Sequence, residues 1–419
     1  MKFTRLALVT AISGALLLSA CSSSDSDGGS GGESDKGGVS AADVSTALTY
    51  VGGKEGKADS SLAPFTIGFV NGQGAVPSFP EQEKAADAAV DFINSKLGGV
   101  GGHPVELEKC FIQAEEDGQK CAGQLLDAKV NIANVGVTVF GNATLYKLIG
   151  DKFPTIVTAA VTGPDATTKG VYAMDGGSLT NLAALADIAQ NKGFKKLSII
   201  SSNNPAAKYL MSEIILPDIK ARGIEATTVY LADTATTPDY VSALQTSGAA
   251  KSDAVYLLPA TVAGCVSLYD GMKQISLTKP VLGPSQCGND PMPEKTGGGP
   301  EGWSLAGLND PVFLDSPEAK TVSDVMDAAG SGSVKNVGFA AKGFGDILTI
   351  TKFANAIGFD KLTPAAFNEQ IASFAGPAWM IPGTIKCGAN TTQIGLCGDS
   401  ASVYGFEGGK WVAGTPFKP

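Results

Sequence analysis

Short runs of β-forming residues alternate with segments of helical periodicity along most of the chain. Phe65-Thr-Ile-Gly-Phe-Val70 is an apolar run closed by the turn Asn71-Gly72, which reads as a buried strand. Ser78-Phe79-Pro80-Glu81 has the form of a capping box with proline in the first turn. It opens a helix whose Ala85, Ala88, Ala89, Phe92 and Leu97 share one face, and Gly98-Gly99 stops it. The same reasoning predicts strands at 105–111, 134–139, 155–158, 196–201, 226–230, 254–258 and 303–308. Helices are predicted at 120–130, 143–150, 179–191, 207–222, 240–246, 262–275, 317–328, 339–357 and 364–374. Such βα repetition with short connections predicts an α/β fold of doubly wound parallel sheets covered by helices on both faces. About ten strands, counting the tail, are too many for one sheet of ordinary size, so two lobes are expected. Ligands of open α/β sheets sit beyond the carboxyl ends of the strands, and two lobes that face each other with those ends enclose a cleft.

The pattern differs before residue 64. Residues 22–38 are almost entirely serine, glycine and charge, a composition that cannot bury a core and predicts a flexible tether. Residues 39–63 are less extreme, with a short helix expected near 41–48, and read as an extension of that tether or as a strap on the first lobe. At the start, Lys2 and Arg5 precede a short apolar run from Leu6 to Leu18, the layout of a signal peptide. That run is too short to span a bilayer, which takes about 20 residues. It ends in Leu18-Ser19-Ala20-Cys21, which resembles a bacterial lipobox. The resemblance implies cleavage before Cys21 and a diacylglycerol on its thiol, anchoring the protein to the outer leaflet of the cell membrane.

Composition narrows the chemistry. The 419 residues include 41 acidic and 31 basic side chains, a net charge of −10, and no basic run, so nucleic acid is excluded as an expected partner. With Cys21 set aside, the seven cysteines leave six, an even number suited to an oxidising compartment. Six cysteines allow fifteen pairings, but these fall into close couples: Cys110 with Cys121, Cys265 with Cys287, and Cys387 with Cys397. Local disulfides are therefore expected, and the spacing is too wide for paired zinc ligands. The lone histidine, His103, lies in Gly-Gly-His-Pro and reads as a turn residue, which leaves a nucleophile-histidine relay without a base. The acidic cluster Glu115-Glu116-Asp117 lacks the alternating ligand spacing of a calcium loop and reads as a solvated loop. Neither a dinucleotide fingerprint, a phosphate loop, a G-x-S-x-G elbow nor an H-E-x-x-H helix is present. No cofactor and no metal are expected, and no residue is assigned a catalytic role.

Several phrases in order resemble one family: Gly98 to Leu107, Pro154 to Pro164, Asp253 to Leu258, Gly283 to Asn289, and Gly338 to Asp346. Together with the lipobox they are similar to the type I periplasmic solute-binding proteins of ABC importers, in the branch of the leucine/isoleucine/valine-binding protein. The resemblance implies two lobes joined by three crossings, near 174–178, 302–309 and 382–385, that close on a ligand like a hinge. Lobe one would be 64–172 with 308–381, and lobe two 173–307 with 382–419.

The resemblance also implies site residues. Ala160-Val161-Thr162 matches the turn that holds an amino acid's carboxylate and ammonium. Val139-Phe140-Gly141 matches a strand end that offers further contacts, here through its backbone only. Phe79 and Phe339 match aromatics at two helix starts, and Ala206 and Thr261 stand where tyrosines are common. Ser285 replaces the glutamate that neutralises the ammonium, and Gln286 follows it. An ammonium buried without a carboxylate costs several kcal/mol, so an ordinary amino acid is disfavoured unless Asp175 substitutes. The expected ligand is a small, partly apolar solute, a carboxylate or an amide.

The leading expectation is a monomeric, lipid-anchored extracytoplasmic receptor that delivers such a solute to an ABC permease and is not an enzyme. A surface sensor built on the same module is the alternative, and a lipid-anchored hydrolase is a weaker one.

Overall fold

The structure is a computed structural model that describes residues 38–258, 261–288, 292 and 297–419. The leader, Cys21, most of the serine-glycine segment and Asn289 lie outside the described residues.

Two α/β bodies follow one another along the chain. The first is built on five parallel strands: β1 (Phe65–Gly72), β2 (Val105–Ile112), β3 (Ala133–Val135), β4 (Thr155–Val157) and β5 (Val171–Ala173), in the order β2-β1-β3-β4-β5. Helices α2 (Pro80–Lys96), α3 (Asp117–Asp127), α4 (Asn142–Ile149) and α5 (Gly163–Thr167) connect them. The second body is built on β6 (Lys196–Ser202), β7 (Glu225–Leu231), β8 (Ala254–Leu258), β9 (Val281–Pro284) and β10 (Trp303–Gly307), joined by an antiparallel tail of β13 (Ser402–Glu407) and β14 (Lys410–Ala413). Its strand order is β14-β13-β10-β9-β8-β6-β7, and β11 (Ala375–Gly376) and β12 (Ile385–Lys386) form a separate antiparallel pair. The α/β class with parallel-sheet lobes is thus the observed fold.

Three later helices return to the first body: α11 (Pro317–Ala328), α12 (Ala340–Ile357) and α13 (Pro364–Ala372). Helix α12 is buried from Ala340 to Thr351, its Lys342 and Asp346 included, because the alanine face of α2 on one side and α1 (Ala41–Val51) on the other leave that stretch no water-facing stripe.

Helix α1 decides between the two readings of residues 39–63, tether or strap, in favour of the strap. Ser40 and Asp43 close a capping box around its first turn, and Val44, Ala47 and Val51 enter the core of the first body. Tyr50 fixes the contact: its hydroxyl lies 2.8 Å from Thr349 Oγ1 and accepts the Trp379 backbone N–H at 3.1 Å. This part of the chain is a strap, held by the buried face of the short helix expected there.

The chain leaves one sheet for the other at 174–176, at 308–316 and at 398–401. The last passage falls later than 382–385, because Ile385, Cys387 and Cys397 still pack in the first core and Ala401 is the first residue to join the second. Disulfides link Cys110 to Cys121, Cys265 to Cys287 and Cys387 to Cys397, as the spacing led us to expect. The predicted helix at 207–222 divides into α7 (Pro205–Tyr209), a π-helical stretch Leu210–Ile215 and α8 (Leu216–Ala221). Pro217 lacks the N–H that a regular helix would use there, which loosens the preceding turn.

Candidate functional site

A cavity opens where the carboxyl ends of both sheets meet, with an empty volume of about 620 Å³, part of it continuous with solvent. Most of the contributing residues sit at the end of a strand, just after it, or in the first turns of the helix that follows. Phe79 comes from the β1–α2 turn, Val137 and Val139 from the segment after β3, and Val161 from that after β4. Ser178, Asn181 and Leu182 belong to the start of α6 (Gly177–Asn191). The second sheet supplies Ser202, Asn204, Ala206, Leu258, Pro284 and Gln286.

The aromatic wall is built by local chain geometry. Phe79 and Phe339 are the N-cap residues of α2 and α12, and their rings meet edge to face with centroids 6.4 Å apart. They form a small cluster with Val137, Ala159 and Leu308. Asn71 holds the first ring's backbone, donating from Nδ2 to the Phe79 carbonyl at 2.8 Å. Gly72 makes the turn possible, since a Cβ there would lie 2.6 Å from the Val137 carbonyl oxygen. The anticipated Ser78 cap is not formed: Ser78 Oγ instead accepts the Gly74 N–H at 3.2 Å, and Phe79 takes the cap position.

Glu81 locks the two N-caps together from behind. It is buried in the first turn of α2, and its carboxylate accepts the backbone N–H of Phe339. Burial raises its pKa to about 7, against the lowering effect of that bond and of its own backbone N–H. A second buried carboxylate, Asp165, supports the turn that carries Val161, which packs against the same aromatic cluster. It accepts the Val161 N–H at 3.1 Å, the Thr162 N–H at 2.7 Å, the Thr162 hydroxyl at 2.8 Å, the Asn142 amide at 2.7 Å and the Tyr146 hydroxyl at 2.8 Å. Burial pushes its pKa up despite these donors.

Of the residues expected at the site, Phe79, Val139, Val161, Ala206, Gln286 and Phe339 line the cavity together. The others do not. Thr162 is the N-cap of α5 with its hydroxyl on Asp165, and the Ala160 carbonyl accepts the Ser178 hydroxyl at 2.7 Å. Phe140 packs against the core of the first body, and the Gly141 N–H donates to Glu115 at 2.9 Å, at a φ of 73° that suits glycine. Thr261 caps α10 (Val262–Gln274). Ser285 lines an adjoining cleft with Asn309, Lys335 and Gly338, and its carbonyl accepts the Tyr404 hydroxyl at 3.1 Å. Asp175 turns away into a buried cluster with Lys342 and Asp346, so it does not stand in for the missing glutamate.

The sequence reading missed Ser178, Asn181, Ser202 and Asn204. Asn204 was findable: Asn-Pro after an apolar strand is a helix-start signature, and its Oδ1 caps α7 by accepting the Ala207 N–H at 2.8 Å. Nothing in the local sequence marks Asn181, whose place depends on the path of the first crossing.

The sequence profile of the periplasmic binding proteins matches residues 64–403. The chain belongs to the periplasmic binding protein family. Solved structures of similar fold are solute-binding proteins of ABC transporters. One from R. palustris in complex with 4-hydroxybenzoate is 17% identical with a TM-score of 0.70, covering 85% of this chain and 97% of that one. A second from R. palustris, in complex with benzoate, is 17% identical with a TM-score of 0.71 over the same shares. A branched-chain amino acid transporter protein from Thermus thermophilus with bound valine is 14% identical with a TM-score of 0.71, covering 87% of this chain and 97% of that one. At such identities the likeness shows the fold. No curated protein matches the chain. The family's name places its members outside the cytoplasm, and no described helix is long and apolar enough to cross a membrane.

Proposed function

We propose that the chain captures a small, partly apolar solute between its two lobes and delivers it to an ABC permease, acting as a binding protein rather than an enzyme. The observation that carries this reading is the cavity at the meeting point of both sheets' carboxyl ends, walled by Phe79 and Phe339 from one side and by Ala206, Leu258 and Gln286 from the other. A ligand bridging both walls favours the closed arrangement by its contacts with each lobe. None of the described lining residues is ionisable, which fits a ligand whose affinity comes from apolar burial and a few hydrogen bonds. The benzoates and valine named for the similar structures are solutes of that size.

The test is a thermal-shift screen of amino acids, carboxylates, amides and sugars. A ligand at 100 times its Kd stabilises by about 2.7 kcal/mol, so a genuine solute raises the melting temperature saturably and is recovered unchanged. A compound that is turned over, or no shift across all classes, sinks the reading. Anchoring is tested apart from capture: Cys21→Ala is expected to move the protein from membranes to the soluble fraction, and retention in the membrane pellet would refute the lipid anchor.

A further inference from the structure

Asn181 lies in the first turns of α6 and lines the cavity. Only 8% of it is exposed, and its Oδ1 is buried with no hydrogen-bond partner among the described residues. Two other amides line the cavity: Asn204 is fully engaged, its Oδ1 capping α7 and its Nδ2 donating to Asp233 at 3.0 Å, and Gln286 is likewise not without a partner. Buried amide oxygens without partners also occur at Asn71, Gln82 and Asn134, but none of these residues lines the cavity, so a solute there does not meet them. Among the described residues, Asn181 alone joins an unpartnered buried amide oxygen to a space that a ligand can fill. A buried polar atom left in that state is unfavourable, and binding a ligand with the complementary group relieves it.

We propose that Asn181 is the specificity-determining residue of this site and that it reads a carboxamide edge on the solute. The inference rests on the capture reading above. A carboxamide offers an N–H to Oδ1 and a carbonyl to Nδ2, so both ends of the asparagine amide are satisfied at once. The pairing is self-complementary and holds for either orientation of the Asn181 amide. A carboxylate accepts from Nδ2 but sets a negative oxygen against Oδ1. An ammonium does the reverse. Neither charge meets a counter-ion among the described lining residues, whereas a neutral amide needs none. Leu182, Leu210 and Leu258 beside it, with the Phe79–Phe339 wall, suit an apolar or aromatic body on the same molecule.

The experiment is calorimetric titration of the full chain at pH 7.5 with two matched pairs, benzamide against benzoate and isovaleramide against isovalerate. In the wild type, an amide of at least one pair is expected to bind roughly tenfold tighter than its carboxylate, the scale of one buried hydrogen bond. Asn181→Leu is expected to bring the members of that pair within roughly twofold of each other, with the ligand-free melting temperature nearly unchanged. Asn181→Asp keeps an acceptor of the same shape while adding charge, so it should retain the amide better than Leu does and reject the carboxylate. It decides the matter if the leucine variant does not fold. A carboxylate that binds tighter than its amide, an amide preference that survives Asn181→Leu, or an Asn181→Asp protein that rejects the carboxylate no more than the wild type does, overturns the role of Asn181 and leaves solute capture standing. Failure of all four probes to bind overturns the carboxamide inference, while capture itself falls only with the wider screen.

Discussion

The ammonium of Lys342 lies 3.4 Å from the carboxylate of Asp175, joining the first turn of α12 to the crossing that leads into α6. It also lies 2.5 Å from Asp346, one helical turn along, and all three side chains are buried. Asp175 Oδ1 accepts the Gly177 N–H at 2.6 Å, so the cluster holds the start of α6, the helix that carries Ser178 and Asn181. Two carboxylates share one ammonium there, and removing the ammonium leaves both without a counter-ion. Lys342→Met is therefore expected to cost about 3–5 kcal/mol of stability, read by urea denaturation of the ligand-free protein. Adding Asp175→Asn and Asp346→Asn should return a large part of that loss. A single variant as stable as the wild type would show that the three charges are not coupled.

Stability should also depend on pH through Glu81 and Asp175. Burial raises Glu81 from 4.5 to about 7, and Asp175 from 3.8 to about 6 even with Lys342 beside it. Between those limits the folded chain holds protons that the unfolded chain has released, so these groups contribute stability at low pH that is lost as pH rises through about 6 to 7. Glu81→Gln imitates the protonated form. Relative to the wild type, it should be more stable at pH 8 and close to equal at pH 4.5, flattening the melting-temperature profile between pH 5 and 8. An unchanged slope would mean that Glu81 does not titrate in this range.

Much of the fold was legible because its signals are local. The run at 65–70, the alanine face of α2 and the proline starts at Pro317 and Pro364 each declare an element within a few residues. The strands at 171–173 and 281–284 were not read, because three or four residues buried on both faces carry no alternation. At the site, Phe79 and Phe339 were reached through the family resemblance, which implies aromatics at two helix starts. Thr162 shows why a local phrase is ambiguous: a threonine before Gly-Pro-Asp is equally a ligand contact or a helix cap, and in the structure its hydroxyl bonds Asp165 at the third helical position. Asn181 and Asp175 depend on where a crossing runs in three dimensions, which residue spacing does not encode.

That difference separates two substitutions at the cavity wall. Thr162→Ala removes the α5 cap and one of the donors to buried Asp165, so it should lower stability by about 1 kcal/mol or somewhat more and leave solute affinity within twofold. Phe339→Leu keeps an apolar side chain but loses the edge-to-face contact with Phe79 and part of the wall. It should weaken the solute identified by the screen by roughly tenfold with a smaller effect on the ligand-free melting temperature. Titration and unfolding of both variants side by side check this. Should Thr162→Ala abolish binding in a fully folded protein, the threonine hydroxyl would belong to the ligand after all.

The disulfides offer a second separation of stability from binding. Cys265–Cys287 closes a loop of 22 residues and Cys387–Cys397 one of 10, so the chain-entropy relation gives each about 3 kcal/mol. Their surroundings differ. Cys287 directly follows Gln286, which lines the cavity, whereas Cys387 and Cys397 pack in the first core and neither lines the cavity. Replacing either pair by alanine should therefore cost comparable stability. Only the Cys265→Ala, Cys287→Ala protein should also lose affinity, because the turn bearing Gln286 is freed to move and binding must order it again. The comparison is made by titration well below the melting temperature of each variant. Equal affinities in the two proteins would remove Gln286 and its turn from the binding surface, and an affinity loss confined to the Cys387 pair would place the determining contacts near the last crossing instead.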